Sequence, residues 1–326
     1  ELEDRQILDM RPRNWTQRPF SHRASRFITS GPMLVNIILR KGCSLIGGKG
    51  DLRHYYHAWK ANRARARQNV TGRVRPARAF EKVKAYRPWM RGRRLIGAFA
   101  GLPMGCTHAP DLAQEAHLGI YQRARGSMKA LVRPHHPFPR GPMCNGLAVD
   151  DCFRICEVPS GVPAKDQPDS MRPDRPEWER YLAELESANL VDHEGKRARD
   201  VTDAVYVGAE VLGETGWVAS PAARRSWASS LTLQVALFRR GPRKLYQQLY
   251  GVWTSFALYR REFLSIFSSG YSVLHEAENE TCIPVSRSMA GELVLMAVCA
   301  PLLGTNVRAE VSGEVFCTDA SWMGQG

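Results

Sequence analysis

The spacing of apolar and polar positions along the chain predicts helices that alternate with short strands. Apolar residues three or four positions apart, the spacing of one helix face, occur in five segments: Asp111–Gln122, Trp178–Leu190, Trp227–Phe238, Lys244–Phe267 and Met289–Leu303. Short apolar runs bounded by turn residues predict four strands: Gly146–Val149, Cys152–Val158, Val205–Leu212 and Val311–Thr318. Pro-rich loops are predicted at 134–142 and 160–177. We therefore expect an α+β fold, with helices on one face of a sheet.

A tight hairpin with acids at its tip is predicted where the first two of these strands meet. Asp150 and Asp151 lie between the two apolar runs, and a third acid, Asp51, follows the Gly-rich run Ile46–Gly50. Adjacent carboxylates repel each other, and a bound cation is their usual justification. Two Mg²⁺ ions held roughly 3.5–4 Å apart by shared carboxylates serve phosphoryl transfer to a 3′-hydroxyl. The alternative is that the Asp-Asp pair belongs to an ordinary surface turn.

The charge balance favours a polyanionic partner. The 326 residues include 46 Lys and Arg against 32 Asp and Glu, which gives a net charge of +14 and a pI near 9.7. Nucleic acid is favoured over an anionic membrane, because neutralised phosphates release counterions. The longest apolar run, Leu293–Leu303, is too short to span a bilayer, and we find no signal peptide.

Positive charge is concentrated between Lys60 and Arg94. This basic segment holds thirteen Lys and Arg residues and one acid, Glu81, with aromatic residues in or beside it. With a single acid, this segment cannot neutralise its own positive charge, and its aromatic rings could stack on bases. We therefore predict that it contacts nucleic acid. A solvated surface is the alternative. The candidate contact residues are Arg63, Arg65, Arg67, Arg73 and Arg75.

The cysteines and the chain ends give weaker indications. The eight cysteines contain no CxxC pair, which favours buried free thiols in a reducing compartment over a zinc site or a disulfide scaffold. We therefore expect an intracellular protein of the cytoplasm or nucleus that is not secreted. Because the chain begins at Glu1 and stops at Gly326, we also expect a fragment of a longer protein. The sequence indicates neither an oligomeric state nor a protein partner.

Seven segments carry motifs of one family, in the family's order along the chain. They are Arg5–Asn14, with the spacing R-x-x-x-D-x-R-x-x-N; Asp51-Leu52 followed by Tyr56; Leu102–Gln114, which reads LPMGCTHAPDLAQ; Ala148–Asp151; Tyr181–Leu190 with Lys196 and Val205–Gly208; Arg260–Phe263; and Phe316–Ser321. Together they resemble the reverse transcriptase of an LTR- or DIRS-like retrotransposon, joined to the start of a ribonuclease H domain. The Leu102–Gln114 block is the most specific, because it matches the family pattern LPFGLxNAPxxFQ without a gap.

This resemblance implies a right-hand polymerase fold with fingers, palm and thumb, in which the palm is an antiparallel sheet backed by helices. It implies partial fingers and a lead-in at 1–50, and a palm at 51–212 with the basic segment inserted at 60–94. Thumb and connection helices would occupy 213–285, and a connection with a truncated ribonuclease H-like segment would occupy 286–326. The implied partners are an RNA or DNA template with a primer and deoxyribonucleoside triphosphates (dNTPs), and no membrane.

The resemblance also implies a role for individual residues in an RNA-directed DNA polymerase, a nucleotidyltransferase. Asp51, Asp150 and Asp151 would be catalytic, with Asp51 and Asp150 holding two Mg²⁺ ions, or Mn²⁺ in their place. The implied dNTP-binding residues are Arg5, Tyr56, Met104, Gln114 and Lys196. The implied primer grip is Tyr206, Val207 and Gly208. Asp319 would be the first metal ligand of the ribonuclease H remnant, and we expect no ribonuclease H activity because no acid follows it.

Three other interpretations stay open at this point. A decayed, catalytically weak retroelement copy would keep the same three acids. A non-catalytic nucleic-acid-binding protein with a palm-like fold would use the same basic segment. Three acids on a polyanion-binding surface would hinder binding unless a metal neutralised them, which argues against this second interpretation. A purely structural protein would leave the charge and the ordered motifs unexplained.

Overall fold

The computed structural model describes residues 8–18, 20, 24–238, 240–276, 281–310, 312–314, 320–321 and 324–325. These residues belong to two compact units. The first unit contains the described parts of 1–33, 46–156 and 163–201, and the second contains those of 34–45, 157–162 and 202–326. No helix within the described ranges is long and apolar enough to cross a membrane.

The secondary structure is mixed, as the sequence predicts. The α-helices of the described residues are α1 Arg11–Asn14, α2 Tyr55–Ala58, α3 Arg63–Gln68, α4 Ala109–Arg123, α5 Asp174–Ser187, α6 Ala222–Ala236, α7 Arg243–Ala257, α8 Ser269–Glu276 and α9 Arg287–Cys299. Their strands are β1 Cys43–Asp51, β2 Val70–Pro76, β3 Arg94–Ala98, β4 Met143–Ala148, β5 Asp151–Pro159, β6 Ala198–Val201, β7 Asp203–Tyr206, β8 Ala209–Leu212, β9 Trp217–Ala219, β10 Arg240–Pro242, β11 Cys282–Pro284, β12 Gly304–Asn306, β13 Ala320–Ser321 and β14 Gly324–Gln325.

A four-stranded sheet with the order β4-β5-β1-β6 organises the first unit. Strands β4 and β5 form the predicted hairpin, with pairing that runs from Met143 opposite Cys156 to Ala148 opposite Asp151. Most consecutive residues of both strands are buried, without an alternation of buried and exposed positions. This is typical of strands that are covered on both faces. The hairpin therefore places its tip, and the two acids there, at one end of the sheet.

Helices α4 and α5 pack together and build the core of the first unit. Helix α4 begins with Ala109-Pro110, and a proline in the first turn removes an N–H that has no helical partner. Its core side chains recur at helical spacing, and α5 contributes Trp178, Tyr181 and Leu185 to the same cluster. Each fully buried large apolar side chain contributes about 1.5–3 kcal/mol, so this cluster holds the helices in place.

The basic segment forms an exposed helix and hairpin in the first unit. Helix α3 is capped by Asn62, whose side chain accepts a hydrogen bond of 2.8 Å from the N–H of Arg65. Strands β2 and β3 pair in an antiparallel ladder that, among the described strands, belongs to no larger sheet. Every residue of β2 is exposed except Thr71, which is half-buried.

The second unit contains a four-stranded sheet with the order β12-β9-β8-β7 and a helical cluster. Helices α6, α7, α8 and α9 share a core that includes Trp253, Phe256 and Leu293. The side chain of Ser286 caps α9 by accepting a hydrogen bond of 3.1 Å from the N–H of Met289. A two-stranded ladder of β10 and β11 adjoins the start of α7 in sequence.

The segment Val205–Leu212, predicted as one strand, is a hairpin. Strands β7 and β8 pair with Tyr206 opposite Ala209, so Val207 and Gly208 form a two-residue turn. Both residues have positive φ, 42° and 86°, as a type I′ turn requires. The prediction was wrong because the apolar pattern continues through the turn, and only the glycine signals it.

Several helix ends also differ from the prediction. The helix predicted at Lys244–Phe267 ends at Ala257, and a separate 3₁₀ turn, Arg261–Ile266, follows an extended Arg260 with φ −155°. Helix α5 begins at Asp174, inside the predicted loop, and ends at Ser187. The helix predicted to reach Leu303 ends at Cys299, just before Pro301. Of the strand predicted at 311–318, the described residues 312–314 are not in a strand, and the remainder lies outside the described residues.

Candidate active site

Three carboxylates from distant parts of the sequence come together at one end of the first unit's sheet. Asp51 is the last residue of β1, and Asp151 is the first residue of the neighbouring strand β5. The N–H of Leu52 donates a hydrogen bond of 2.9 Å to the carbonyl of Asp150. This contact brings the residue after Asp51 directly against the hairpin tip.

The electrostatics of Asp151 reflect this convergence. Burial, together with the negative charges of Asp150 and Asp51, raises the pKa of Asp151 to about 6, against the lowering effect of Lys196 and Lys49. Like charges disfavour ionisation of a neighbouring carboxyl, and this effect requires short separations. The three acids therefore form one electrostatic cluster that favours a cation.

A cation from the protein already lies in this cluster. The ammonium of Lys196 donates a hydrogen bond of 2.7 Å to Oδ2 of Asp51, and this bond raises the pKa of Lys196. An open pocket of about 420 Å³ adjoins the pair, and its lining includes three basic side chains, those of Lys49, Lys196 and Arg197, with Asp51 and Asp151. A pocket lined by both acidic and basic residues can hold a phosphorylated ligand together with cations.

Residues 191–197 fix the backbone of Asp51. The N–H of His193 donates a hydrogen bond of 2.8 Å to the carbonyl of Asp51, and the N–H of Asp51 donates one of 3.2 Å to Oδ1 of Asp192. The second oxygen of Asp192 accepts a hydrogen bond of 2.7 Å from Arg197. Asp192 was not predicted to take part, and nothing in the surrounding sequence distinguishes it. The 3₁₀ turn Glu194–Lys196 follows directly and brings Lys196 to Asp51.

Side chains of α4 hold the tip of the acidic hairpin. Gln114, predicted to bind dNTP, is buried, and its Oε1 accepts a hydrogen bond of 2.8 Å from the N–H of Val149. Its Nε2 donates to the carbonyl of Leu147 at 3.3 Å. His117 contacts the carbonyl of Val149 through Nδ1 at 2.6 Å. Sequence reasoning missed His117, although its position three residues after Gln114 places it on the same helix face.

Tyr56 lies near the acids, and Met104 lies in the turn that begins at Leu102. Burial raises the pKa of the Tyr56 hydroxyl, and the charge of Asp150 raises it further, so this ring is within electrostatic reach of the hairpin. The carbonyl of Tyr56 accepts a hydrogen bond of 3.1 Å from the N–H of Leu102. The side chain of Asn14 donates to the carbonyl of Gly105 at 2.8 Å and fixes the turn that carries the half-exposed Met104.

Comparison with solved structures shows which fold carries this site. The structure of "the foamy viral protease-reverse transcriptase dRH in complex with ds DNA" matches with a TM-score of 0.61 and 16% identity, over 93% of this chain and 42% of that chain. The same protease-reverse transcriptase in complex with RNA/DNA hybrid matches with a TM-score of 0.58 and 15% identity, over 92% of this chain and 32% of that chain. This chain has a reverse-transcriptase-like fold.

The match covers nearly all of this chain but less than half of the foamy viral chains. No protein-family model and no curated protein matches the sequence. At this identity the similarity establishes the fold alone, and the roles of individual residues stay predictions. The domain boundaries and the retrotransposon lineage are likewise still predictions.

The residues of the implied primer grip lie in a hairpin of the second unit. Tyr206, Val207 and Gly208 form the end and turn of the β7–β8 hairpin in the second unit, where Tyr206 is buried. The carbonyl of Gly208 accepts a hydrogen bond of 2.9 Å from the hydroxyl of Tyr259, which steadies the turn. Arg5 and Asp319 lie outside the described residues.

Four of the five candidate arginines of the basic segment are exposed to solvent. Arg65 is the exception, because its guanidinium is half-buried and donates to Sγ of Cys106 at 2.7 Å. Among the described residues, no ion pair involves a Lys or Arg of positions 60–94. This part of the fold therefore presents positive charge that the described acids do not neutralise.

The acid cluster has the donor chemistry for Mg²⁺, which prefers oxygen ligands. As the side chains are placed, the described residues contain no group of three or more His, Cys, Asp or Glu close enough to hold one ion together. Asp51 is paired with Lys196 instead. The carboxylates fit a divalent cation by charge and donor type, and a cation that binds Asp51 through Oδ2 competes there with the ammonium of Lys196.

Proposed function

We propose that this chain is the polymerase part of a retroelement reverse transcriptase, which adds dNTPs to a primer 3′-hydroxyl under the direction of an RNA or DNA template. The observation that carries the proposal is the convergence of Asp51, Asp150 and Asp151 at one sheet end of a reverse-transcriptase-like fold. The charge supports it, because the basic segment offers a surface for a polyanion.

Asp51 and Asp150 are the side chains that would hold two divalent cations, Mg²⁺ or Mn²⁺. When bound, such a pair of ions activates the attacking hydroxyl and neutralises the leaving pyrophosphate. Asp151 adds negative charge beside them, and the charge repulsion within the cluster is relieved by a cation. Lys196, released from Asp51, carries the proton and the charge that a departing pyrophosphate requires.

Tyr56 and the turn at Met104 would form the side of the dNTP site next to the acids. The backbone of Tyr56 is held by the hydrogen bond from the N–H of Leu102, its ring packs against the core of the first unit, and its hydroxyl lies within electrostatic reach of Asp150. A fixed ring at the sugar rejects a 2′-hydroxyl by steric clash. Gln114 would act on the same site through the hairpin tip, since its amide oxygen and its amide nitrogen both form hydrogen bonds there.

Primer extension tests the proposal most directly. The wild-type chain should extend a labelled DNA primer on an RNA or DNA template with dNTPs and Mg²⁺ or Mn²⁺, and Asp150→Asn should abolish extension. The matched control is Asp166→Asn, an exposed acid in the 3₁₀ turn Ala164–Asp166, which should extend normally. Circular dichroism and melting temperature establish that each variant is folded.

A non-catalytic nucleic-acid-binding protein, or a decayed copy, is the second candidate. The observation that favours it is the Lys196–Asp51 ion pair, which neutralises one acid without any metal. Folded wild-type protein that binds primer–template but does not extend it with either metal would support this candidate. Extension that survives Asp150→Asn would contradict the assignment of the acids.

A further inference from the structure

The backbone at the tip of the acidic hairpin has an unusual conformation. Val149, the residue before the two acids, has φ +58°. This left-handed region is uncommon for any residue with a side chain, and a β-branched residue such as Val is a genuine outlier there. Because Ala148 pairs with Asp151, Val149 is the first residue of a two-residue hairpin turn, a position that takes positive φ and is usually filled by Gly, Asn or Asp. A β-branched residue persists there only where surrounding contacts over-determine its conformation.

Two side chains of α4 provide those contacts by holding both polar groups of Val149. Oε1 of Gln114 accepts a hydrogen bond of 2.8 Å from the N–H of Val149, and Nδ1 of His117 lies 2.6 Å from its carbonyl oxygen. Gln114 is 2% exposed and His117 is fully buried, so solvent does not compete for these bonds. Nε2 of Gln114 also donates a hydrogen bond to the carbonyl of Leu147, two residues before Val149.

A third residue orients His117. A carbonyl oxygen only accepts hydrogen bonds, so Nδ1 carries the proton and Nε2 is the acceptor. Nε2 lies 2.6 Å from the hydroxyl of Tyr181, which therefore donates to it. Burial lowers the pKa of His117 to about 4, so the ring is neutral and keeps this tautomer at neutral pH. A chain of hydrogen bonds thus runs from α5 through α4 to the hairpin tip.

The residue after Val149 is fixed on its other side. The carbonyl of Asp150 accepts a hydrogen bond of 2.9 Å from the N–H of Leu52, which adjoins Asp51. The peptide groups on both sides of Asp150 are therefore held by residues outside the hairpin, His117 on one side and Leu52 on the other. The direction of the Asp150 and Asp151 side chains depends on these peptide planes.

We propose that Gln114 and His117 are positioning residues, which clamp Val149 in its left-handed conformation and so aim Asp150 and Asp151 at a shared cation. The inference rests on the proposed function only in taking these acids as cation ligands. Loss of partners that orient metal ligands commonly weakens metal binding by roughly 10–100-fold. The clamp itself is a property of the protein without metal.

Hydrogen exchange tests the clamp without reference to metal. In His117→Leu, which lacks the donor, the amides of residues 149–151 should exchange at least about tenfold faster than in wild type. His117→Asn should restore protection, because its amide nitrogen takes nearly the place of Nδ1. The matched control is Tyr121→Phe, which removes other hydrogen bonds of α4, those of 3.0 Å to the carbonyl of Ser127 and 2.7 Å from the side chain of Asn145, neither of them at residues 149–151. Unchanged exchange at the tip in His117→Leu would overturn the proposal.

Mn²⁺ binding, followed by electron paramagnetic resonance, tests the positioning role. His117→Leu should lower Mn²⁺ affinity by about tenfold or more, while Tyr121→Phe and His117→Asn should stay near wild type. Asp150→Asn shows whether the measured ion binds at the acids. If Asp150→Asn lowers affinity and His117→Leu does not, the positioning role is wrong. If Asp150→Asn leaves affinity unchanged, the metal site of the proposed function fails, and exchange at residues 149–151 alone decides for or against the clamp.

Discussion

The ammonium of Lys196 donates a hydrogen bond of 2.7 Å to Oδ2 of Asp51, although 145 positions separate the two residues. The Asp51 side chain is 17% exposed and that of Lys196 is 52% exposed, so the pair lies at the edge of the pocket. The protein thus supplies one positive charge to a cluster of three carboxylates. A divalent cation that binds Asp51 is repelled by this charge and competes with it for Oδ2.

Replacement of Lys196 by methionine should tighten the binding of a divalent cation. An exposed ion pair is worth about 0.2–1 kcal/mol, so we expect Mn²⁺ affinity to rise by up to about fivefold. The same variant should extend primers more slowly, because the charge beside the pyrophosphate is lost. Mn²⁺ titration by electron paramagnetic resonance and single-turnover extension measure the two effects separately.

The matched control for this change is Lys165→Met, which removes an exposed lysine from the loop before α5. It should change neither Mn²⁺ affinity nor extension rate. Mn²⁺ affinity that is equal or weaker in Lys196→Met would show that the lysine does not compete with the cation. An unchanged extension rate would remove Lys196 from the chemistry.

Asp151 should make the metal-free protein less stable as the pH rises. Burial and the charges of Asp150 and Asp51 raise its pKa to about 6, whereas an unfolded chain titrates its Asp near 3.9. The folded state therefore favours the neutral carboxyl, and the stability this gives is present below about pH 4 and lost as pH rises through about 6.

Asp151→Asn removes this loss, so in the presence of EDTA the variant should be more stable than wild type at pH 7 by about 1 kcal/mol, after allowance for partial exposure. The difference should vanish near pH 4. Urea unfolding at both pH values measures it, with Asp166→Asn as the control. A difference that is the same at pH 4 and pH 7 would contradict the electrostatic account of the cluster.

Tyr56→Ala should reduce the discrimination against ribonucleotides. The ring is expected to fill the space of a 2′-hydroxyl beside Asp150, and truncation opens that space. We expect the ratio of ribonucleotide to deoxyribonucleotide incorporation to rise by at least about tenfold, which corresponds to about 1.4 kcal/mol. Tyr56→Phe keeps the ring and should keep the wild-type ratio. An active Tyr56→Ala variant with unchanged discrimination would refute the assignment.

The salt dependence of primer–template binding should depend on the basic segment. Each phosphate contact contributes roughly 0.9 to the slope of log affinity against log salt for duplex DNA. Arg73→Gln with Arg75→Gln should therefore flatten the slope by up to about 1.8. Lys129→Gln with Lys165→Gln removes two exposed charges elsewhere and should leave the slope unchanged. Equal slopes for both double variants would identify the basic segment as a solvated surface.

Much of the fold could be predicted because its signals are local. Helix α4 follows from apolar spacing and a proline in its first turn, and the β4–β5 hairpin follows from two apolar runs around Asp150. The α+β class and the resemblance to reverse transcriptases agree with the observed fold. Helix ends and the β7–β8 turn were predicted less well, because a continuous apolar pattern conceals a two-residue turn and a break after Ala257.

The sequence by itself determined which residues carry charge, which segments are amphipathic, and that Asp150 and Asp151 lie together, because these are properties of neighbouring positions. Only the tertiary structure decided that β1 lies beside β5, that Lys196 reaches Asp51, and that His117 holds Val149. Sheet order and helix packing bring such groups together across long sequence separations. They are set by the burial of a whole core, and no local pattern records them.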